Sequence, residues 1–149
     1  METWPSGTLP GSGGTGGTWS HPWCAGPNSA IIRLLLGVQP IQAGWSRLQI
    51  APQPSSLNSI NATVPFVLGA TATQVSLQIT QTTSSLSVRF TVPEGTTAEV
   101  CLPPPNGATI NQVDTRVTLD GKSAPTVARG RMLCIESDVL AGAHVTVRT

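Results

Sequence analysis

Gln74-Val-Ser-Leu-Gln-Ile-Thr80 and Leu86-Ser-Val-Arg-Phe-Thr-Val92 are the two stretches that decide the fold of this 149-residue chain. Apolar and polar side chains alternate along both of them. A period of two residues puts the apolar side chains on one face of an extended strand. Strands with one buried and one solvated face are typical of antiparallel sheets. The polar cluster Thr82–Ser85 between the two stretches predicts a turn.

Strand-like sequence of this kind extends over the chain from Trp45 onward. Six further strand-like runs are Trp45–Ile50, Val64–Leu68, Ala98–Leu102, Thr115–Leu119, Arg131–Ile135 and His144–Arg148. Clusters of Pro, Gly, Asn, Asp and Ser separate several of these runs and predict turns. Short strands at this spacing favour a mainly β fold, an antiparallel β-sandwich of about eight strands.

The first forty residues have a different character. Residues 1–20 hold six glycines and no period, which predicts a Gly-rich loop. The segment from Pro27 to Leu36 is apolar on all sides except at Arg33, and it predicts one short helix that ends at Gly37. A helix of this kind is buried on several sides. A chain of 149 residues offers little to wrap around it.

Composition excludes several classes of function. Eight Lys and Arg balance seven Asp and Glu, which leaves a formal charge of +1 without a basic stripe. Nucleic acid is therefore not an expected partner. Neither is a membrane, because no apolar run approaches the roughly 20 residues that a spanning helix needs. The start carries no signal-peptide pattern, so localisation stays open.

The cysteines and histidines do not predict a metal site. Cys24, Cys101 and Cys134 are an odd number at unsuitable spacings, and neither His21 nor His144 has a Cys or His partner at the spacing of a metal site. Cys101 and Cys134 lie in strand-like runs; they can pair if those strands are neighbours, or be buried free thiols. No metal and no organic cofactor is predicted.

The acidic residues are scattered, and only those near the front lie among aromatic side chains. Trp4, Trp19 and Trp23 flank Glu2 and His21. Carbohydrate sites combine aromatic faces with carboxylate and imidazole groups that bond sugar hydroxyls. Indoles that simply pack together are the alternative explanation of this cluster.

A series of motifs in the first half of the chain resembles the α-L-rhamnosidases of glycoside hydrolase family 78, at the seam between catalytic barrel and C-terminal sandwich. The matching segments are Glu2-Thr-Trp4, Gly11–Gly17, Ser20-His-Pro-Trp23, Leu36-Gly-Val-Gln-Pro40 and Ala43-Gly-Trp-Ser-Arg-Leu-Gln-Ile-Ala-Pro-Gln-Pro54. The block from the helix to Pro54 is the specific part. Later, Val92–Pro103 resembles a strand pair of the family's sandwich, and Leu119-Asp-Gly121 its usual turn.

The resemblance implies a domain division and a mechanism. Residues 1–40 would be the end of an (α/α)6 catalytic barrel, and residues 41–149 the sandwich. Glu2 falls where the family has its general base, and His21 where a histidine contacts rhamnose. The implied reaction is inverting hydrolysis of terminal α-L-rhamnose, in which one carboxyl group protonates the leaving oxygen and a second activates water.

The resemblance also implies what this chain lacks. The family's general acid and most of its sugar-binding residues lie earlier in the barrel, so the chain alone is expected to be inactive. Its expected partners are the remainder of the barrel and, in the intact enzyme, a rhamnose-containing glycoside. The other hypothesis is a stand-alone carbohydrate-binding or partner-docking sandwich, with its site at the Trp4, Trp19 and Trp23 cluster or at an exposed helix that binds a partner.

Overall fold

The computed structural model describes residues 26–105, 109–110, 116–139 and 143–148. A short α-helix, α1 (Gly26–Ala30), continues into a π-helical turn (Ile31–Leu35), and a 3₁₀ turn covers Ala43–Trp45. Eleven strands lie in the described ranges. They are β1 (Val38–Pro40), β2 (Arg47–Ile50), β3 (Ser59–Leu68), β4 (Thr71–Gln81), β5 (Ser85–Thr91), β6 (Thr97–Leu102), β7 (Arg116–Leu119), β8 (Lys122–Ser123), β9 (Thr126–Arg129), β10 (Met132–Ile135) and β11 (Ala143–Arg148).

The strands form two sheets, which we call the first and the second sheet. The first has the order β1-β2-β6-β10-β9, and the second the order β3-β4-β5-β11-β7-β8. Apolar side chains from both sheets meet in one core, among them Leu48 and Val100 from the first, and Leu77 and Val88 from the second. The predicted mainly β sandwich is therefore confirmed. All eight predicted strands are present, within a few residues of their expected ends.

One pair of strands departs from the antiparallel pattern. Strands β2 and β6 pair in parallel, with Gln49 opposite Glu99. Parallel neighbours need a long crossover connection, and the antiparallel meander β3-β4-β5 supplies it here.

The predicted helix is present and ends as expected. The Leu36 N–H donates to the Ile31 carbonyl at 2.9 Å, and Gly37 then adopts a left-handed conformation, with φ of 66°. Strand β1 follows at once and pairs with β2 in the first sheet. The predicted division at residue 40, between the end of a catalytic barrel and the sandwich, concerns a longer enzyme and stays a prediction.

Cys101 and Cys134 form a disulfide between neighbouring strands. They lie directly opposite each other on β6 and β10, with their Cα atoms 3.9 Å apart. Both are buried, against Ala51 and Met132 on the side of the first sheet that faces away from the core. Of the two alternatives left open by the sequence, the structure has the paired one; Cys24 lies outside the described residues.

Candidate functional site: the N-terminal junction

The junction, residues 26–54, leads the chain into the sandwich. It comprises α1, the π-helical turn, β1, the 3₁₀ turn, β2 and the extended Ala51–Pro54. Two backbone bonds fix the helix end to that extended segment. The Ala51 N–H donates to the Gly37 carbonyl, and the Gln53 N–H donates to the Leu35 carbonyl, both at 3.0 Å. The helical segment is thus tied to the edge of the sandwich.

Gly37 is required at the centre of this contact. A Cβ atom there would overlap the carbonyl carbon and oxygen of Ala51. The positive φ adds a second reason, because side-chain-bearing residues rarely adopt it. The position explains why a glycine separates the predicted helix from the first strand.

Trp45 closes the other end of the junction. Its indole stacks on the Phe66 ring of β3, with ring centroids 4.5 Å apart. Trp45 has a φ of 63°, which is rare for a bulky residue and persists only where neighbouring structure fixes it. The stack on Phe66 is such a constraint, so the aromatic pair holds the 3₁₀ turn against the second sheet.

The helical part of the junction exposes apolar surface. Leu34 is 62% exposed and Ile31 is 47% exposed. Together with Ala30, Leu35 and Gln53 they line an open, shallow depression. None of the residues from Gly26 to Leu35 is buried, although the sequence is typical of a buried helix. This face lacks a covering partner among the residues that the structure describes.

The five site residues predicted from the sequence lie outside the described residues. They are Glu2, Trp4, Trp19, His21 and Trp23. Trp23 precedes Gly26, the first described residue, by three positions in the chain. The side chain of His144 is also outside the described set.

A polar cluster on the first sheet gathers charges that looked scattered in the sequence. Arg47 donates from Nε and Nη2 to the two carboxylate oxygens of Asp138, each at 2.8 Å. Its Nη2 also lies 3.3 Å from Glu99, and Arg129 pairs with Glu99 at 3.2 Å. Gln49 donates to Glu99 at 3.1 Å. Sequence reasoning could not find this cluster, because the parallel β2–β6 pairing that assembles it joins residues about fifty positions apart.

The electrostatics of the polar cluster point to a structural role. The hydrogen bonds from Arg47 lower the pKa of Asp138 below its ordinary value of 3.8, and they raise the pKa of Arg47 in return. A catalytic acid of a glycosidase needs a raised pKa instead. Asp138 is thus held ionised, and both it and Glu99 are occupied by arginine. The cluster ties together β2, β6, β9 and the segment after β10.

Metal and membrane signals are lacking in the described ranges. No group of three or more His, Cys, Asp or Glu side chains there could hold a metal ion. Within the same ranges, no helix has both the length and the apolar character needed to cross a bilayer.

Residues 37–116, more than half of the chain, match the family described as the bacterial alpha-L-rhamnosidase C-terminal domain. The chain belongs to this family. The match begins at Gly37, the glycine that fixes the junction, and it includes the first six strands and the first residue of β7. No curated protein sequence matches the chain.

Two solved enzymes share the fold of this rhamnosidase-derived domain. The α-L-rhamnosidase from Dictyoglumus thermophilum superimposes with a TM-score of 0.66 and 18% identity over 83% of the chain. The α-L-rhamnosidase from Streptomyces avermitilis, solved in complex with L-rhamnose, gives a TM-score of 0.59 and 23% identity over 80% of the chain. The chain spans 13% of the first enzyme and 10% of the second.

Proposed function

We propose that this chain works as the C-terminal part of an α-L-rhamnosidase. Residues 1–40 would complete the catalytic (α/α)6 barrel, and residues 41–149 would be the sandwich that closes one side of it. Membership in the C-terminal domain family supports this proposal, as does the small share of two rhamnosidases that the chain spans. The intact enzyme would release terminal α-L-rhamnose from glycosides with inversion.

The exposed face of Ile31 and Leu34 is the observation that carries the proposal. Burial of one large aliphatic side chain contributes about 1.5–3 kcal/mol, so two exposed ones at the tip of a domain leave considerable stabilisation unused. The face lies on the helical segment that leads into the sandwich, where a preceding catalytic domain would be attached. The remainder of the barrel is therefore the partner proposed to cover it.

In the mechanism that we propose, Glu2 is the general base and activates water. His21 hydrogen-bonds the rhamnose, and the indoles of Trp4, Trp19 and Trp23 line the sugar. The general acid would come from the earlier part of the barrel. Asp138 and Glu99 are poor substitutes, because each is already paired with arginine. The reaction as proposed uses protein carboxyl groups and water, without a metal or organic cofactor.

The chain alone would then be inactive. An inverting glycosidase needs its two carboxyl groups about 6.5–9.5 Å apart on opposite sides of the sugar. A base without its acid and without the barrel cannot provide that arrangement. The expected turnover of the isolated chain on a nitrophenyl α-L-rhamnoside is therefore zero.

A chimera tests the proposal. The catalytic part of the Dictyoglumus thermophilum enzyme, ending just before the segment that corresponds in sequence to Glu2-Thr-Trp4, would be joined to this chain. We expect rhamnosidase activity from the chimera and none from either half. Leu34→Glu should abolish that activity by preventing the halves from packing. Val67→Glu is the matched control, since Val67 is 56% exposed but lies on β3.

Sugar binding separates this proposal from the other hypothesis. Titration of the isolated chain with rhamnose should give no measurable heat. Specific binding of rhamnose, together with an inactive chimera, would identify the chain as a stand-alone binding module.

A further inference from the structure

The side of the second sheet that faces away from the core is polar, and we call it the outer face. On β4 the buried Val75, Leu77 and Ile79 alternate with Ser76 and Gln78, which point the other way. The strand register continues this face across the sheet. Asn61, Gln78 and Arg89 lie directly opposite one another on β3, β4 and β5.

The outer face carries positive charge. None of the six strands of this sheet, over their described residues, contains Asp or Glu. Three exposed arginines lie on this face: Arg89 on β5, Arg116 on β7 and Arg148 on β11. They form no ion pair with an acid of the described chain.

Two of these arginines are placed unfavourably for stability. Arg148 lies directly opposite Arg116 across the β11–β7 pair. Like charges in that position destabilise a sheet. The first sheet shows the opposite arrangement, since Arg47 and Arg129 are both neutralised by carboxylates. An anion from outside the chain would relieve the repulsion between Arg116 and Arg148.

A wide, shallow depression on the outer face offers polar side chains to a ligand. It measures about 390 Å³ and is lined by Asn61, Ser76, Gln78, Arg89 and Thr91, together with Leu77, Phe90 and Ala143. Small-ligand sites occupy about 300–1,000 Å³. The side chains of Asn61, Gln78 and Arg89 lie on neighbouring strands, and neighbouring strands are about 4.8 Å apart. Amide groups both donate and accept hydrogen bonds, as sugar hydroxyls require, and a guanidinium binds a carboxylate with two parallel bonds.

We propose that the outer face binds an acidic oligosaccharide. Arg89 would hold a carboxylate, while Asn61 and Gln78 bond the hydroxyls of the same sugar unit. Arg148 lies opposite Ser85, which is four residues, or about 13 Å, along β5 from Arg89. A second carboxylate of the same oligosaccharide would therefore reach the Arg116–Arg148 pair. Three arginines in a protein of net charge +1 are too few for a nucleic-acid surface. The titration below uses this chain alone, so its outcome does not require the proposed barrel.

The test is a calorimetric titration of the 149-residue chain. The probes are tetragalacturonate and, as its neutral match, a galactose tetramer. We expect the acidic tetramer to bind at least about tenfold more tightly, with an affinity that falls as salt is added. Arg89→Gln should weaken binding about tenfold, because a charge-assisted pair is lost. Arg131→Gln removes the same charge from an exposed turn of the other sheet and should leave the affinity unchanged.

Several outcomes would overturn the site. Equal affinity for the two tetramers would show that charge plays no role in binding. A loss of affinity in Arg131→Gln as large as that in Arg89→Gln would show that the attraction is non-specific. Binding only to a single-stranded DNA oligomer, or only to anionic phosphatidylserine vesicles, would assign the face to another class of partner. The melting temperatures of both variants verify that they fold. An inactive chimera would leave the outer-face result standing, since the titration uses the chain alone.

Discussion

At the scale of single residues, Gly37 has the least space of the glycines in the described chain. Its backbone contacts that of Ala51, and its left-handed conformation ends the helical segment. Both features require the absence of a side chain. The glycine therefore couples the helical segment to the sandwich, and a change there affects both.

Gly37→Ala should lower the free energy of unfolding by about 3 kcal/mol or more. The left-handed conformation alone costs a side-chain-bearing residue about 1–2 kcal/mol, and displacement of the Ala51 backbone adds to it. Gly69→Ala is the matched control, because Gly69 has a similar φ of 62° but open space around it. It should cost only about 1–2 kcal/mol. Equal losses in urea unfolding would show that the close approach to Ala51 contributes nothing.

The Asp138–Arg47 pair predicts a pH dependence of stability. The folded state lowers the pKa of Asp138, so the stabilisation is complete above the ordinary value of 3.8 and is lost as the pH falls through the lower folded value. Asp138→Asn should therefore reduce the melting temperature at about neutral pH. The difference from the natural chain should shrink as the pH falls below 3.8 and disappear once Asp138 is protonated in the folded state.

Glu136→Gln serves as the control for Asp138. It removes an acid at an exposed position two residues away, and Glu136 has no ion pair among the described residues. Its melting temperature should follow that of the natural chain over the whole range. A difference for Asp138→Asn that persists in acid would contradict the ion-pair explanation.

At the scale of secondary structure, the period of two residues was sufficient to predict eight strands. Strands β1, β8 and β9 were missed for physical reasons. Strand β1 is three residues long and ends in proline, β8 has two residues, and β9 is largely exposed and therefore lacks an alternating pattern. The parallel β2–β6 pairing, and with it the polar cluster, depends on contacts distant in sequence and leaves no local signal.

The disulfide between β6 and β10 should be a main source of stability. It closes a loop with a sequence separation of 33 residues, and the chain-entropy relation gives about 3–4 kcal/mol for a loop of that size. Replacement of both Cys101 and Cys134 by Ala should reduce the free energy of unfolding by about that amount. The natural chain under reducing conditions should show the same loss. An unchanged urea midpoint in both cases would refute the assignment.

The exposed helical segment should make the isolated chain self-associate. Ile31 and Leu34 form a contiguous apolar patch, and such patches promote association. Sedimentation velocity should show oligomers, with binding of a hydrophobic dye. The double change Ile31→Gln and Leu34→Gln should give a monomer. The double change Val67→Gln and Val127→Gln, at two separate exposed valines, should not. A natural chain that is a clean monomer without dye binding would contradict the prediction.

At the scale of the whole molecule, the chain contains the core of its sandwich but only a part of the proposed catalytic site. A sandwich of this size has a core of its own, so alternation along the strands was enough to predict it. The proposed catalytic site would be shared with residues of a barrel, so the sequence could indicate Glu2 and His21 only through the resemblance of their motifs. Their placement lies outside the described residues, and their roles stay proposals that depend on the larger enzyme.

The roles of Glu2 and His21 can be separated in the chimera. Glu2→Gln keeps the shape of the side chain but cannot accept a proton from water, and loss of a general base typically lowers kcat about 10²–10⁴-fold. Rhamnose binding should be nearly unchanged in that variant. His21→Ala should weaken binding instead, because its proposed hydrogen bond goes to the sugar and not to the reacting water. Glu94→Gln, at an exposed position in the loop after β5, removes an acid of the sandwich and should affect neither quantity. Near-normal turnover of the Glu2→Gln chimera would place the general base elsewhere. The proposed structural role of the sandwich would be unaffected, because it is argued from the junction and not from Glu2.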